Sequence, residues 1–241
     1  MGDTKLTFKR LEKKFLLSAE KYEALMEALA GHIVPDLYFE STVCSIYYAD
    51  DRFSLIRHSI EEPVYKEKLR VRSYNVPDPE GTVFVELKKK FQGTVYKRRV
   101  AMTAAQAENW LNGGTPAPED SQMVREIQWF LDVNRPSPRV FIACERQAYV
   151  AADDPELRIT FDREIRYRET ELALTAGSHG EPITQPGQVL MEVKIPGTAP
   201  LWLAHIFSEL AVYPTGFSKY GTAYKTKLLE KYWNGVIVCA E

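Results

Sequence analysis

The sequence predicts an α+β chain, with many antiparallel strands and helices placed between and after them. Three observations predict it. Several stretches alternate charged with apolar or small residues at a period of two, as in "VYKEKLRVRSY" at 64–74. Other stretches open on a capping residue and run at helical spacing, as Ser18 does before "AEKYEALMEALAG". Short Gly-containing connections separate neighbouring strands, as in "FQGT" at 91–94, which reads as a hairpin. With 241 residues, 45% apolar and 27% charged, the chain has the material for a sizeable core. No repeat and no shift in composition marks a boundary, so 1–241 reads as a single domain.

The elements follow in order. "LTFKRLEKKFLL" (6–17) is a strand with Arg10, Glu12 and Lys14 on one face and Leu11, Phe15 and Leu17 on the other. The helix after Ser18 ends at Gly31. Residues 37–49 are β-branched and aromatic, hence a strand, and Asp50 or Asp51 caps a short helix in "DDRFSLIRHSI". Strands follow at 64–74, 82–91 and 94–101. Thr103 opens a helix stopped by Gly113, and "SQMVREIQWFLDVN" is a second that ends before Pro136. Strands return at 139–150 and 157–168. The stretch 174–188, with three Gly and two Pro, reads as a loop, and "VLMEVKIP" as a strand. Two helices close the chain, "PLWLAHIFSELAVY" and "YGTAYKTKLLEKYW". Trp110, Trp129 and Trp202 are expected in the core, and Tyr220, Tyr224 and Tyr232 to pack rather than to stack on bases.

The totals exclude several classes. Net charge is -2 and the pI about 6.2, too little positive charge for a surface that binds duplex nucleic acid. Cys44, Cys144 and Cys239 are scattered and odd in number, which reads as reduced thiols in a cytoplasmic protein. The N-terminus lacks the apolar segment of a signal peptide, and no run of 18 apolar residues is present. Walker-type Gly-rich loops, HExxH and Gly-x-Ser-x-Gly are absent.

The charge rows carry the chemistry. Lys66, Lys68, Arg70 and Arg72 share one strand face. Glu86, Lys88 and Lys90 share another, as do Lys97 and Arg99, Arg158, Thr160, Asp162 and Glu164, and Glu192 and Lys194. Any single row reads most simply as a solvated face. Together they are mostly cationic and repel when placed side by side. If the strands close with these faces inward, the interior is a cationic cavity that a polyanion must fill. Arginine grips phosphate bidentately and lysine acts as a point charge. Glu86, Asp162 and Glu192 among the cations would suit Mg2+ or Mn2+. For Asp162 a structural ion pair with Arg158 on its own strand is favoured over the metal role. The cationic faces hold few aromatics, which argues against single-strand nucleic-acid binding.

These stretches, "FKRLEKKFLL", "KLRVRSY", "VFVELKKK", "VYKRRV", "ERQAY", "LRITFDREI", "LMEVKIPG" and "GFSKYGTAY", resemble in order and spacing the VTC domain. That is the catalytic domain of the vacuolar transporter chaperone polyphosphate polymerase, a triphosphate tunnel metalloenzyme. The resemblance implies an antiparallel eight-stranded β-barrel tunnel with peripheral helices and a C-terminal helix near one mouth. In it ATP gives its terminal phosphate to a growing polyphosphate chain, with Mn2+ or Mg2+ bound. Carried over by motif, Arg70, Arg72, Lys88, Lys97, Arg146 and Arg158 would hold phosphate. Ser218 and Lys219 would do so near a tunnel end, and Glu192 would be the metal ligand. Lys14 would be the basic residue of the first strand, with Arg10, Lys68, Arg99 and Lys194 as further substrate contacts and Glu12 as a second carboxylate. Gly216 stands where the polymerase has a basic residue. No inositol-phosphate sensor or membrane region accompanies the domain, so it resembles bacterial stand-alone members. The implied location is cytoplasmic, at most peripheral to the membrane's inner face, with a separate membrane chain as partner. Hydrolysis of triphosphate or nucleoside triphosphate in the same tunnel, and polyphosphate binding without chemistry, are the alternative functions.

Overall fold

The computed structural model describes residues 11–61, 63–92 and 94–232. Its elements are β1 (Leu11–Leu17), α1 (Ala19–Ala28), β2 (Ile33–Ala49), α2 (Ser54–Ile60), β3 (Tyr65–Tyr74), β4 (Thr82–Phe91), β5 (Thr94–Thr103), α3 (Ala104–Leu111), α4 (Gln122–Asn134), β6 (Ser137–Ala151), β7 (Arg158–Arg168), β8 (Glu181–Pro182), β9 (Val189–Ile195), α5 (Leu201–Glu209) and α6 (Lys219–Ala223). The α+β class stands. The strands form one nine-stranded sheet in the order β1-β9-β7-β6-β2-β3-β4-β5, with β8 pairing off β7. The sequence implies eight strands. The ninth is the two-residue β8, which lies with a 3₁₀ turn at Leu174–Ala176 inside the stretch expected to be all loop. Among the described residues the sheet is not closed, β1 and β5 being its edges.

Two compact units divide the chain, each from three segments. The first takes Met1–Ser41, Cys144–Glu164 and Thr184–Phe217; the second takes Thr42–Ala143, Ile165–Ile183 and Ser218–Glu241. In the first, β1, β9 and the start of β7 pair antiparallel. Their odd-numbered residues, Phe15, Leu17, Ile159, Phe161, Met191 and Val193, form its core with Leu25 and Leu29. This is the period-two pattern with one face buried.

In the second unit β2 to β5 pair antiparallel in sequence order. Leu69, Val71, Val83, Val85, Leu87, Val100 and Met102 face α3 and α4 in the core. Thr103 caps α3 in a full capping box with Gln106. Ser121 caps α4, which buries Val124, Ile127, Phe130 and Leu131. Trp129 lies off that stripe and is 58% exposed, against the expectation that it is core. Trp110 is buried. Asp50 accepts from the backbone N–H groups of Arg52 and Ser54 before α2.

Candidate anion site and carboxylate site

The odd residues of β3 to β5 are not all apolar, yet the sorting by face is sharp. On the face away from the second unit's core, register sets residues of four strands in rows. One row is Tyr47, Arg70, Glu86 and Arg99. The next is Lys68, Lys88 and Lys97, three lysines directly opposite one another across three strands. A third is Ser45, Arg72, Phe84 and Ala101. Glu86 is the one carboxylate in these three rows.

Glu86 is 1% exposed. Its Oε2 accepts from Arg70 Nε at 2.7 Å and its Oε1 from Arg99 Nε at 2.7 Å. Lys97 Nζ lies 2.6 Å from Oε1. Burial alone would raise its pKa. Arg70, Arg72 and Lys97 overcome that and hold the carboxyl well below the usual carboxylate range. Lys97 is drawn below the ordinary lysine value, by burial first and by the nearby arginines, against the pull of Glu86. The far ends of both guanidinium groups meet phenols. Arg70 Nη1 donates to Tyr47 at 3.3 Å and Arg99 Nη2 to Tyr74 at 3.2 Å. Arg99 also lies over the Phe84 ring, 4.1 Å from its centroid. Arg72 Nε donates to Ser45 at 3.1 Å.

Glu86 is therefore surrounded by cations and orients two of them, which leaves it poorly suited to the metal role its charge suggested. Tyr47, Tyr74 and Phe84 on this face escape the sequence reading, which found the cationic rows nearly free of aromatics. The positions of Tyr74 and Phe84 were legible from parity, being even like Arg70 and Glu86, whereas Tyr47 reaches this face through the register of β2 with β3.

Ser218 and Lys219 sit at the start of α6 in the same unit. The Ser218 hydroxyl caps the helix, accepting from Gly221 N at 3.2 Å. α6 runs into a π-turn at Tyr224–Leu228, a helix irregularity frequent at functional sites. Tyr220 and Tyr224 are buried, as the packing reading expects.

The first unit holds the other sequence-nominated residues. Register sets Lys14, Glu192 and Thr160 in one row and Glu12, Lys194 and Arg158 in the next. Lys194 Nζ lies 3.2 Å from Glu192 Oε1, and Lys14 Nζ 3.9 Å from Oε2. Lys14 is also 3.7 Å from Glu12. The Thr160 hydroxyl is buried and, among the described residues, has no hydrogen-bond partner. Asp162 pairs with Arg146, not with Arg158: Arg146 Nε and Nη2 grip its two oxygens at 2.6 and 2.8 Å. The neighbouring strand wins because cross-strand side chains stand closer than residues four apart on one strand, roughly 13 Å along it. Asp162 raises Arg146 further above the ordinary arginine value, against burial. Arg158 turns instead to Asp36. Arg10 lies outside the described residues.

Among the described residues no three His, Cys, Asp or Glu side chains gather as a ready metal cage. Glu192 with Glu12, both touching Lys14, is a two-carboxylate set. That suits a hard divalent ion that takes its other ligands from phosphate and water. No described helix is long and apolar enough to cross a membrane.

Comparison with known proteins places this geometry. No curated sequence matches. Among solved structures, the chain is similar to a candidate adenylyl cyclase from Hippeastrum, described as having a dominant triphosphatase activity. TM-score is 0.56 at 15% identity, over 91% of this chain and 97% of that one. It is also similar to a candidate adenylate cyclase from Bacillus halodurans, at TM-score 0.55 and 14% identity, over 87% and 93%. Both likenesses are of fold. The family model of the VTC domain matches residues 9–228. With that match over nearly its whole length, the chain belongs to the VTC domain family.

Proposed function

We propose that the chain catalyses metal-dependent phosphoryl transfer and makes inorganic polyphosphate from ATP. One observation carries the proposal: Lys68, Lys88 and Lys97 stand directly opposite one another beside the Arg70–Glu86–Arg99 row. Like charges opposed across strands repel. A face that gathers six cations around one carboxylate attracts a multiply charged anion. A linear phosphate chain supplies closely spaced negative oxygens, and arginine and lysine are the side chains that hold them. Catalysis of phosphoryl transfer needs chiefly positioning and charge neutralisation.

In the first unit Glu192, with Glu12 beside it, would hold Mn2+ or Mg2+. The ion, when bound, neutralises charge on phosphate oxygens. Lys14 and Lys194 keep the Glu192 carboxylate oriented. Arg146, locked on Asp162, presents its charge at a fixed place. The proposed setting is cytoplasmic, with ATP and polyphosphate as partners and a separate membrane chain to carry product away.

A second reading is hydrolysis, favoured by the triphosphatase activity ascribed to the Hippeastrum relative in fold. Incubation with ATP and Mn2+, with and without a short polyphosphate primer, decides between them on a gel that resolves chain lengths. Lengthening chains with ADP release are expected. Free phosphate without chains would support the hydrolase, and tight polyphosphate binding without turnover a binding module. Glu192→Gln is expected to retain polyphosphate binding while metal-dependent turnover falls by at least about a hundredfold. Unchanged turnover would remove Glu192 from the metal site.

A further inference from the structure

Tyr47 belongs to no motif and was nominated by none of the charge rows. It is 7% exposed, on β2, directly opposite Arg70. Its ring stacks on Tyr220 with centroids 4.5 Å apart and planes at 25°, which fixes the direction of the phenol. The oxygen accepts from Arg70 Nη1 at 3.3 Å. A phenol has one hydrogen of its own to donate. Among the described residues Tyr47 makes that one polar bond, as acceptor, so its O–H is unspent in a buried place.

The groups around it are almost all cationic. From β3 it meets Lys68, Arg70 and Arg72; Glu86 of β4 lies beyond Arg70 and is held by it. From α6 it meets the Tyr220 ring, whose own surroundings include Asp50, Tyr224 and Arg139. A buried donor without an acceptor, aimed among three cations, lacks what an anion supplies: an oxygen with spare lone pairs.

We propose that the Tyr47 phenol is a further contact of this anion site, donating its O–H to an oxygen of the phosphate that Arg70 and Arg72 hold. The inference rests on the reading of this face as a phosphate site. It has a consequence in protons. Burial raises the phenol's pKa, but Arg70, Arg72 and Lys68 outweigh burial and bring it down to about 8. Below that pH the phenol is neutral and can donate. Above it the phenolate has no hydrogen to give and repels the incoming phosphate. Binding there must take up a proton, so affinity falls as pH rises through about 8.

The experiment is calorimetric titration of the full chain and of Tyr47→Phe with inorganic tripolyphosphate at about pH 7 and about pH 9. Each is run in two buffers of different ionisation enthalpy. The phenylalanine keeps the stacked ring, and dividing one protein's affinity by the other's cancels ionisation of the ligand and of the lysines. The wild type is expected to lose about tenfold relative to the variant between the two pH values, with close to one proton taken up at the higher pH. Without ligand, the phenolate absorbance band of the wild type should appear with a midpoint near 8, be suppressed by tripolyphosphate, and be missing from Tyr47→Phe. Binding with the same pH dependence in both proteins overturns the Tyr47 contact and leaves the phosphate site standing. No binding to either protein at either pH overturns the phosphate site, and the Tyr47 contact with it.

Discussion

At the scale of single residues, Glu86 is the one whose role the structure changes most. Strand parity placed it correctly among cations, and its charge made it look like a metal carboxylate. What parity cannot supply is register. Only the pairing of Arg70 with Glu86 and of Glu86 with Arg99 brings both guanidinium groups to its two oxygens. Glu86→Gln leaves three cations sharing a neutral amide. The expected cost is about 2 kcal/mol, discounted for the partial exposure of Lys97 and Arg99. The carboxyl's pKa is lower folded than unfolded, so its contribution is whole above the ordinary carboxylate value and is lost as pH falls below it. Urea midpoints of the two proteins should therefore differ at neutral pH and converge in acid. Lys88→Ala has the opposite signature. It removes one of three opposed lysines, so the melting temperature without ligand should hold or rise, while tripolyphosphate affinity drops about tenfold. A fall in melting temperature without ligand would show that the lysine row is not under repulsion.

At the scale of elements, helices with caps and strands with one apolar face were legible because their signals are local. Ser18, Thr103 and Ser121 each cap the helix that follows. Trp129 was misplaced because an aromatic on a helix says nothing of which face it occupies. The apolar stripe of Val124, Ile127, Phe130 and Leu131 answers that, and Trp129 is off it. The segment after β7 was opaque for a different reason: its order is imposed by one side chain. Arg168, 6% exposed, lies over the Phe141 ring at 3.5 Å. Its guanidinium donates to the carbonyl oxygens of Glu171, Ala173, Gly177 and His179. A Gly-rich stretch gives no hint of such a hub. Arg168→Lys cannot copy the planar fork, and Arg168→Met leaves the carbonyls without a donor. Both should destabilise by about 3 kcal/mol in denaturant titration, with faster proteolysis confined to residues 171–180. Wild-type stability in Arg168→Lys would reduce the hub to a point charge.

At the scale of the whole molecule, the sequence showed which residues were cationic and on which strand faces, but not that the chain has two cores. That division is invisible to composition because each unit draws on three separated stretches. The order in which the strands pair has the same character: β1 meets β9 across more than 170 residues, a contact no local pattern encodes. There is a consequence for how the protein is made. The last stretch of the first unit ends at Phe217, and the second unit waits for α6, whose Tyr220 supplies the ring that lies on Tyr47. On the ribosome, the first unit lacks a part until Phe217 has been made, and the second until α6 has been. The lysine row will have been translated long before the helix that completes its unit. Until then β1 stands as an open edge waiting for β9 and the face that carries Tyr47 lacks the ring that covers it, so each unit is exposed to off-pathway strand pairing before its last segment arrives.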